Sequence, residues 1–182
     1  MSAPATALPA PPHEPEVGED LWPVRVRLTR RPVGNGLWEC DSWSVSEIHS
    51  ERERSPSEGI TCREAADDRI RHYDWSGLPL ALHRDERAAY RFNLDSRAPR
   101  LFVQCDPDDD GRMVPTLVTA SQDVAASYMD GGDEHVFSIA MPAALQCWIE
   151  AFIGRHGEPE IFLGKSRRRQ RGKQHKDADR HD

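Results

Sequence analysis

The chain has 182 residues, 37% of them hydrophobic and 30% charged, with a formal net charge of −7. This length suits one domain of ordinary size with tails, and no stretch approaches the ~18 consecutive apolar residues of a membrane-spanning helix, so no membrane insertion is expected. The charge is uneven: residues 165–182 hold eight Lys and Arg against three Asp, which leaves −12 on residues 1–164.

Residues 1–20 are rich in Pro and Ala and nearly free of large apolar side chains, so they are expected to form a disordered tail. With neither a basic start nor an apolar core they do not read as a signal peptide, and a cytoplasmic location is expected. From Trp22, Val24, Val26 and Leu28 alternate with Arg25, Arg27 and Thr29, the period-two pattern of a strand with one dry face. Pro32-Val33-Gly34-Asn35-Gly36 predicts a hairpin turn. Trp38 and Cys40 continue one face, Trp43 and Val45 have the opposite parity, and a bulge near Asp41 reconciles them.

Residues 49–68 alternate charged with small polar residues and predict a solvated loop. Strands then follow over Ile70 to Trp75, at Leu78, Leu80 and Leu82, at Tyr90, Phe92 and Leu94, and at Leu101, Val103 and Cys105; the short loops between them imply antiparallel neighbours. Met113 to Thr119 predicts another strand, in which Pro115 favours an edge or a bulge. Ser121 is placed to cap a short helix with Asp123 in its first turn, closed by Gly131-Gly132. Pro142 opens a second helix, with Leu145, Trp148, Ile149 and Phe152 on one stripe and Gly154 at its end.

The fold derived is α+β: a curved antiparallel meander of about seven strands over residues 21–160, with two C-terminal helices packed on one side. Residues 161–182 form a disordered basic tail. No βαβ repeat supports a dinucleotide-binding sheet. Cys40, Cys62, Cys105 and Cys147 lie tens of residues apart and read as free thiols, with Cys40, Cys105 and Cys147 at inward positions.

Three constellations carry chemistry. Asp106, Asp108 and Asp110, before Gly111, match the opening of a calcium loop, but its twelfth position is Leu117, not a bidentate carboxylate, and an acidic turn between strands is the simpler account. His83-Arg84-Asp85-Glu86 offers an imidazole and two carboxylates; with Tyr90 and Asn93 it is the expected functional surface, to which His72, Tyr73, Asp74 and Trp75 can add. No nucleophile is visibly paired with it, so no catalytic residue is assigned. The basic block with Arg167, Arg168, Arg169 and Arg171 suits an acidic protein face; nucleic acid is disfavoured because the body is acidic and no aromatic residue follows Phe162.

Trp22-Pro23-Val24 with Arg30-Arg31 and Trp38, then Leu82-His83-Arg84-Asp85-Glu86 with Tyr90, Asn93-Leu94 and Pro99, then Ala125 to Asp130, and Met141-Pro142 with Trp148 and Phe152, resemble a bacterial family of unknown function. Its genes lie beside those of formate dehydrogenase, and it is sometimes labelled molybdopterin-guanine dinucleotide biosynthesis protein A. The resemblance runs from about Trp22 to His156. A guanylyltransferase needs a Gly-rich loop and a Lys facing phosphates between a strand and a helix; Gly34-Asn35-Gly36 is followed by neither. What the resemblance implies is an accessory to a molybdenum or tungsten formate dehydrogenase, acting in assembly, maturation or complex formation through a protein contact and without a cofactor of its own. The alternative is a small enzyme of molybdenum cofactor metabolism. An exposed Trp favours the first, a His in a pocket the second.

Overall fold

The computed structural model describes residues 20–34, 36–54, 58–130 and 135–159. The two tails, with Arg167, Arg168, Arg169 and Arg171, and the Gly131-Gly132 stop lie outside the described residues. Seven strands, β1 (Leu21–Val33), β2 (Cys40–Ser50), β3 (Thr61–Asp67), β4 (Ile70–Ala81), β5 (Arg100–Pro107), β6 (Met113–Thr119) and β7 (Val136–Ala140), form one sheet in the order β2-β1-β4-β6-β5-β7, with β3 pairing β4 off this path. Three helices accompany it: α1 (Arg87–Leu94), α2 (Gln122–Asp130) and α3 (Ala143–His156). The α+β reading with a curved sheet and C-terminal helices is thus observed, and β2 and β7 approach each other so that the sheet half closes.

The core follows the sequence pattern. Val24, Val26 and Leu28 of β1 are fully buried, as are Leu80, Leu101 and Val103, and the apolar stripe of α3 covers them through Leu145, Ile149, Phe152 and Ile153. Burying side chains of this size contributes about 1.5–3 kcal/mol each. Trp22 meets Trp148 edge-on at 5.2 Å, which fixes α3 to the start of β1. The expected cap at Ser121 is present: its Oγ accepts the Val124 N–H at 3.3 Å.

Several expectations need correction. Residues 90–94 are not a strand but the second half of α1, because Ala89, Tyr90 and Asn93 fall on one helical face, and burying that face outweighs the period-two spacing of Tyr90, Phe92 and Leu94. Phe92 is left exposed. The crossover through α1 and β5 then brings β6 back parallel to β4, at Leu80 and Val118, so the meander is not antiparallel throughout. β7, which no sequence signal announced, pairs with β5.

The bulge in β2 lies at Ser46, opposite the Arg27–Leu28 step, not near Asp41. It sets Trp43 and Val45 against the core while Trp38 sits in a single 3-10 turn before the strand. Residues 49–68 are only partly loop: 61–67 form β3, recruited by the long β4 despite their polarity. The loop before β3 is tied down by Arg54, which donates to the Gly59 carbonyl at 3.0 Å and to Thr61 Oγ1 at 3.2 Å. Helix α3 runs past Gly154 to His156 and ends at Gly157, whose φ of +84° suits glycine. Cys105 is buried, whereas Cys40 and Cys147 are exposed.

Candidate interaction site

The β1–β2 hairpin is where the sequence departs furthest from burying its apolar residues. Gly34 and Gly36 have φ of +100° and +60°, as the turn residues require. A Cβ on Gly34 would lie 2.5 Å from the Trp38 carbonyl oxygen, so only glycine lets the chain fold back this tightly. The 3-10 turn that starts at Gly36 and runs to Trp38, closed by the Glu39 N–H on the Gly36 carbonyl at 3.2 Å, throws its side chains outward. Trp38 is 88% exposed, and Leu37 and Val33 beside it are exposed as well. An exposed lone Leu is ordinary; a fully presented Trp with two aliphatic neighbours on a tight turn is not.

Charged pairs ring the base of this tip. Arg30 binds Asp41 at 2.5 Å and Arg69 binds Glu39 at 2.6 Å, so the β3–β4 turn is clamped to the hairpin. The Arg30 hydrogen bond holds the Asp41 carboxyl below its ordinary range against the opposing cost of burial, and the Glu39 hydrogen bond raises Arg69. Arg30, Arg69 and Arg71 face Glu39, Asp41 and Asp68 around a cleft of about 290 Å³. No His, Cys, Ser or Thr lines it. The cleft therefore presents carboxylates, of which Asp41 and Glu39 are held in ion pairs with Arg30 and Arg69. Two ion pairs thus stand at the base of a turn that presents Leu37 and Trp38 to solvent.

The expected functional surface lies at the other end of β1. Arg84, Asp85 and Glu86 make a 3-10 turn leading into α1, beyond the Leu21–Ala81 pairing, so the length of β1 separates this turn from the hairpin tip. The turn brings His83, Glu86 and Tyr90 together: Tyr90 accepts the His83 N–H at 3.0 Å and donates to Glu86 at 2.7 Å. Burial raises the Tyr90 phenol well above its ordinary pKa, and the Glu86 hydrogen bond adds to the rise. Asn93 points instead to β5 and the end of β6, where backbone groups occupy its amide. Arg87 caps α3 through the His156 and Gly157 carbonyls.

His72, Tyr73, Asp74 and Trp75 do not converge, because they alternate across β4. His72 contacts Thr29 Oγ1 through Nδ1 at 3.0 Å, and Asp74 receives a forked Arg27, whose hydrogen bonds lower its carboxyl pKa. On the opposite face Tyr73 lies against Trp43 at 5.5 Å and Arg112 covers Trp75 at 5.7 Å. In the acidic turn, Asp108 accepts the Asp110 and Arg112 N–H groups and binds the Arg112 guanidinium at 2.8 Å. Among the described residues no three His, Cys, Asp or Glu side chains stand together as metal ligands. No helix of the described residues is long and apolar enough to cross a membrane.

The expected hairpin is present, but the exposure of Trp38 was not foreseen, because Trp38 fits the alternation of the strand that follows it; the two glycines two residues apart were the available sign that the strand had not begun. The model of a family described as Protein of unknown function (DUF3305) matches residues 23–169, which takes in the hairpin, the sheet but for the first two residues of β1, and all three helices. The chain belongs to that family. No curated protein and no solved structure matches it. Membership in DUF3305 thus carries a shared fold, not an assigned reaction, and the reading of function rests on the site.

Proposed function

We propose that this DUF3305 protein is a non-catalytic accessory of a molybdenum or tungsten formate dehydrogenase, acting in the cytoplasm in its assembly, maturation or complex formation. The observation that carries the binding reading is the presentation of Trp38 and Leu37 on a glycine-built turn above a ring of ion pairs. A Trp buried in a partner's apolar pocket removes ~150–250 Å² of surface from water, enough to make one residue dominate a contact. The client itself is inferred from the resemblance to the family encoded beside formate dehydrogenase genes. The basic run through Arg167, Arg168, Arg169 and Arg171 suits long-range attraction to an acidic face of that client.

The test is affinity co-purification of the tagged protein from its native host grown with formate and molybdate, beside a Trp38→Ala variant. Recovery of a formate dehydrogenase subunit by the parent and its loss with the variant is the expected result. Trp38 is so exposed that the variant keeps its unfolding free energy within about 0.5 kcal/mol, so lost recovery is not lost folding. Recovery of the protein alone refutes the proposal and returns the small-enzyme reading to the front.

A further inference from the structure

Among the described residues β3 pairs with β4 alone, and all seven of its residues are exposed. No strand of the described residues takes up its second edge, whose N–H and C=O groups are the template on which another strand adds. Along β3, Arg63, Ala65 and Asp67 share one face with Asp74, His72 and Ile70 of β4; Glu64 and Ala66 share the other with Tyr73 and Arg71. Glu64 is already held by Arg71 at 2.7 Å, whereas Arg63 and Asp67 have no ion pair among the described residues.

We propose that β3 adds antiparallel to β3 of a second copy of this chain, about a two-fold axis through Ala65. A two-fold axis perpendicular to the sheet keeps each face continuous, so each candidate register is centred on one residue. Centred on Ala65, Arg63 faces the partner's Asp67, Asp67 faces the partner's Arg63, and Glu64 faces the partner's Ala66. The small Ala65 meets itself on the axis without a clash. The neighbouring registers fail: centring on Arg63 or Glu64 sets like charges directly opposite, and centring on Ala66 sets Glu64 against the partner's Asp68. The strand is self-complementary in one register, which is why a second copy, not an unrelated strand, is the occupant. The ribbon β2-β1-β4-β3 would continue across the axis, and five paired residues make a small contact, hence a weak, concentration-dependent dimer.

The test uses the full chain with Cys40, Cys62 and Cys147 replaced by Ser, sedimented from about 1 µM to about 1 mM. The dimer fraction should rise over that range. Arg63→Asp and Asp67→Arg should each raise the dissociation constant about tenfold or more, and the double swap should restore it to within about threefold, with circular dichroism verifying the fold of every variant. Ala65→Cys should cross-link to a dimer under mild oxidation far faster than Thr61→Cys, which lies outside the overlap. A monomer throughout, a dimer indifferent to both charge reversals, or equal cross-linking at both positions would overturn the proposal.

Discussion

The side-chain amide of Asn93 pairs with the backbone of Arg100 as a neighbouring strand would, donating from Nδ2 to its carbonyl at 2.7 Å and accepting its N–H at 3.0 Å. The same nitrogen donates to the Ala120 carbonyl at 2.8 Å. One side chain of α1 thus ties the start of β5 to the residue that follows β6.

Removing that amide leaves the buried Ala120 carbonyl and the part-buried Arg100 N–H and carbonyl without these partners. Asn93→Ala should cost about 3 kcal/mol of unfolding free energy in urea, since each orphaned buried group costs ~1–3 kcal/mol. Asn93→Asp should also destabilise, because a carboxylate cannot donate to two carbonyls. A loss below about 1 kcal/mol for the Ala variant would show that these bonds are not made in solution.

Two glycines should respond in opposite senses to alanine. Gly154 lies inside α3 with open space where a Cβ would go, so Gly154→Ala should stabilise the protein by about 0.5–1 kcal/mol. Gly77 has φ of +80°, its N–H is held by Glu51 at 2.8 Å, and a Cβ there would lie 2.7 Å from the Gly59 carbonyl oxygen. Gly77→Ala should cost about 2 kcal/mol or more. Paired thermal melts of the two variants check both signs.

Burial pushes the Cys105 thiol from an ordinary 9.0 up to about 12, with the Asp106 carboxylate adding to the rise. The unfolded thiol ionises first as pH climbs, so the unfolded state binds fewer protons and is favoured; stability is lost between pH 9 and pH 12, at about 1.4 kcal/mol per unit for this group. Urea unfolding from about pH 8 to about pH 11 should show Cys105→Ala less stable at the start but falling less steeply. Parallel slopes would show that the thiol is not shielded.

The parts of the fold that the sequence disclosed are those in which burial and periodicity agree. Val24, Val26 and Leu28 on β1 and Leu145, Trp148, Ile149 and Phe152 on α3 alternate or recur as their elements demand, and all are buried. Tyr90, Phe92 and Leu94 satisfied two periods at once, and only the buried face through Ala89 and Asn93, a tertiary fact, decided for the helix. β3 has no apolar face of its own; it is a strand because β4 lends it a ladder. Of the residues singled out by their chemistry, Tyr90 and Asn93 are engaged in internal hydrogen bonds, a tertiary fact no local pattern carries, while the solvent-facing side chains of Leu37 and Trp38 are apolar and Trp38 follows the ordinary alternation.

β1 begins beneath α3, where Trp22 meets Trp148, and ends twelve residues on from Leu21 at a hairpin whose Val33, Leu37 and Trp38 are exposed. Amide protons along it should therefore exchange on graded clocks, those from Val24 to Leu28 near the rate of global unfolding and those near Val33 far faster. The strand is a lever with one end welded into the core. Strain taken up at its free end dissipates in local opening before it reaches the residues that hold the molecule folded.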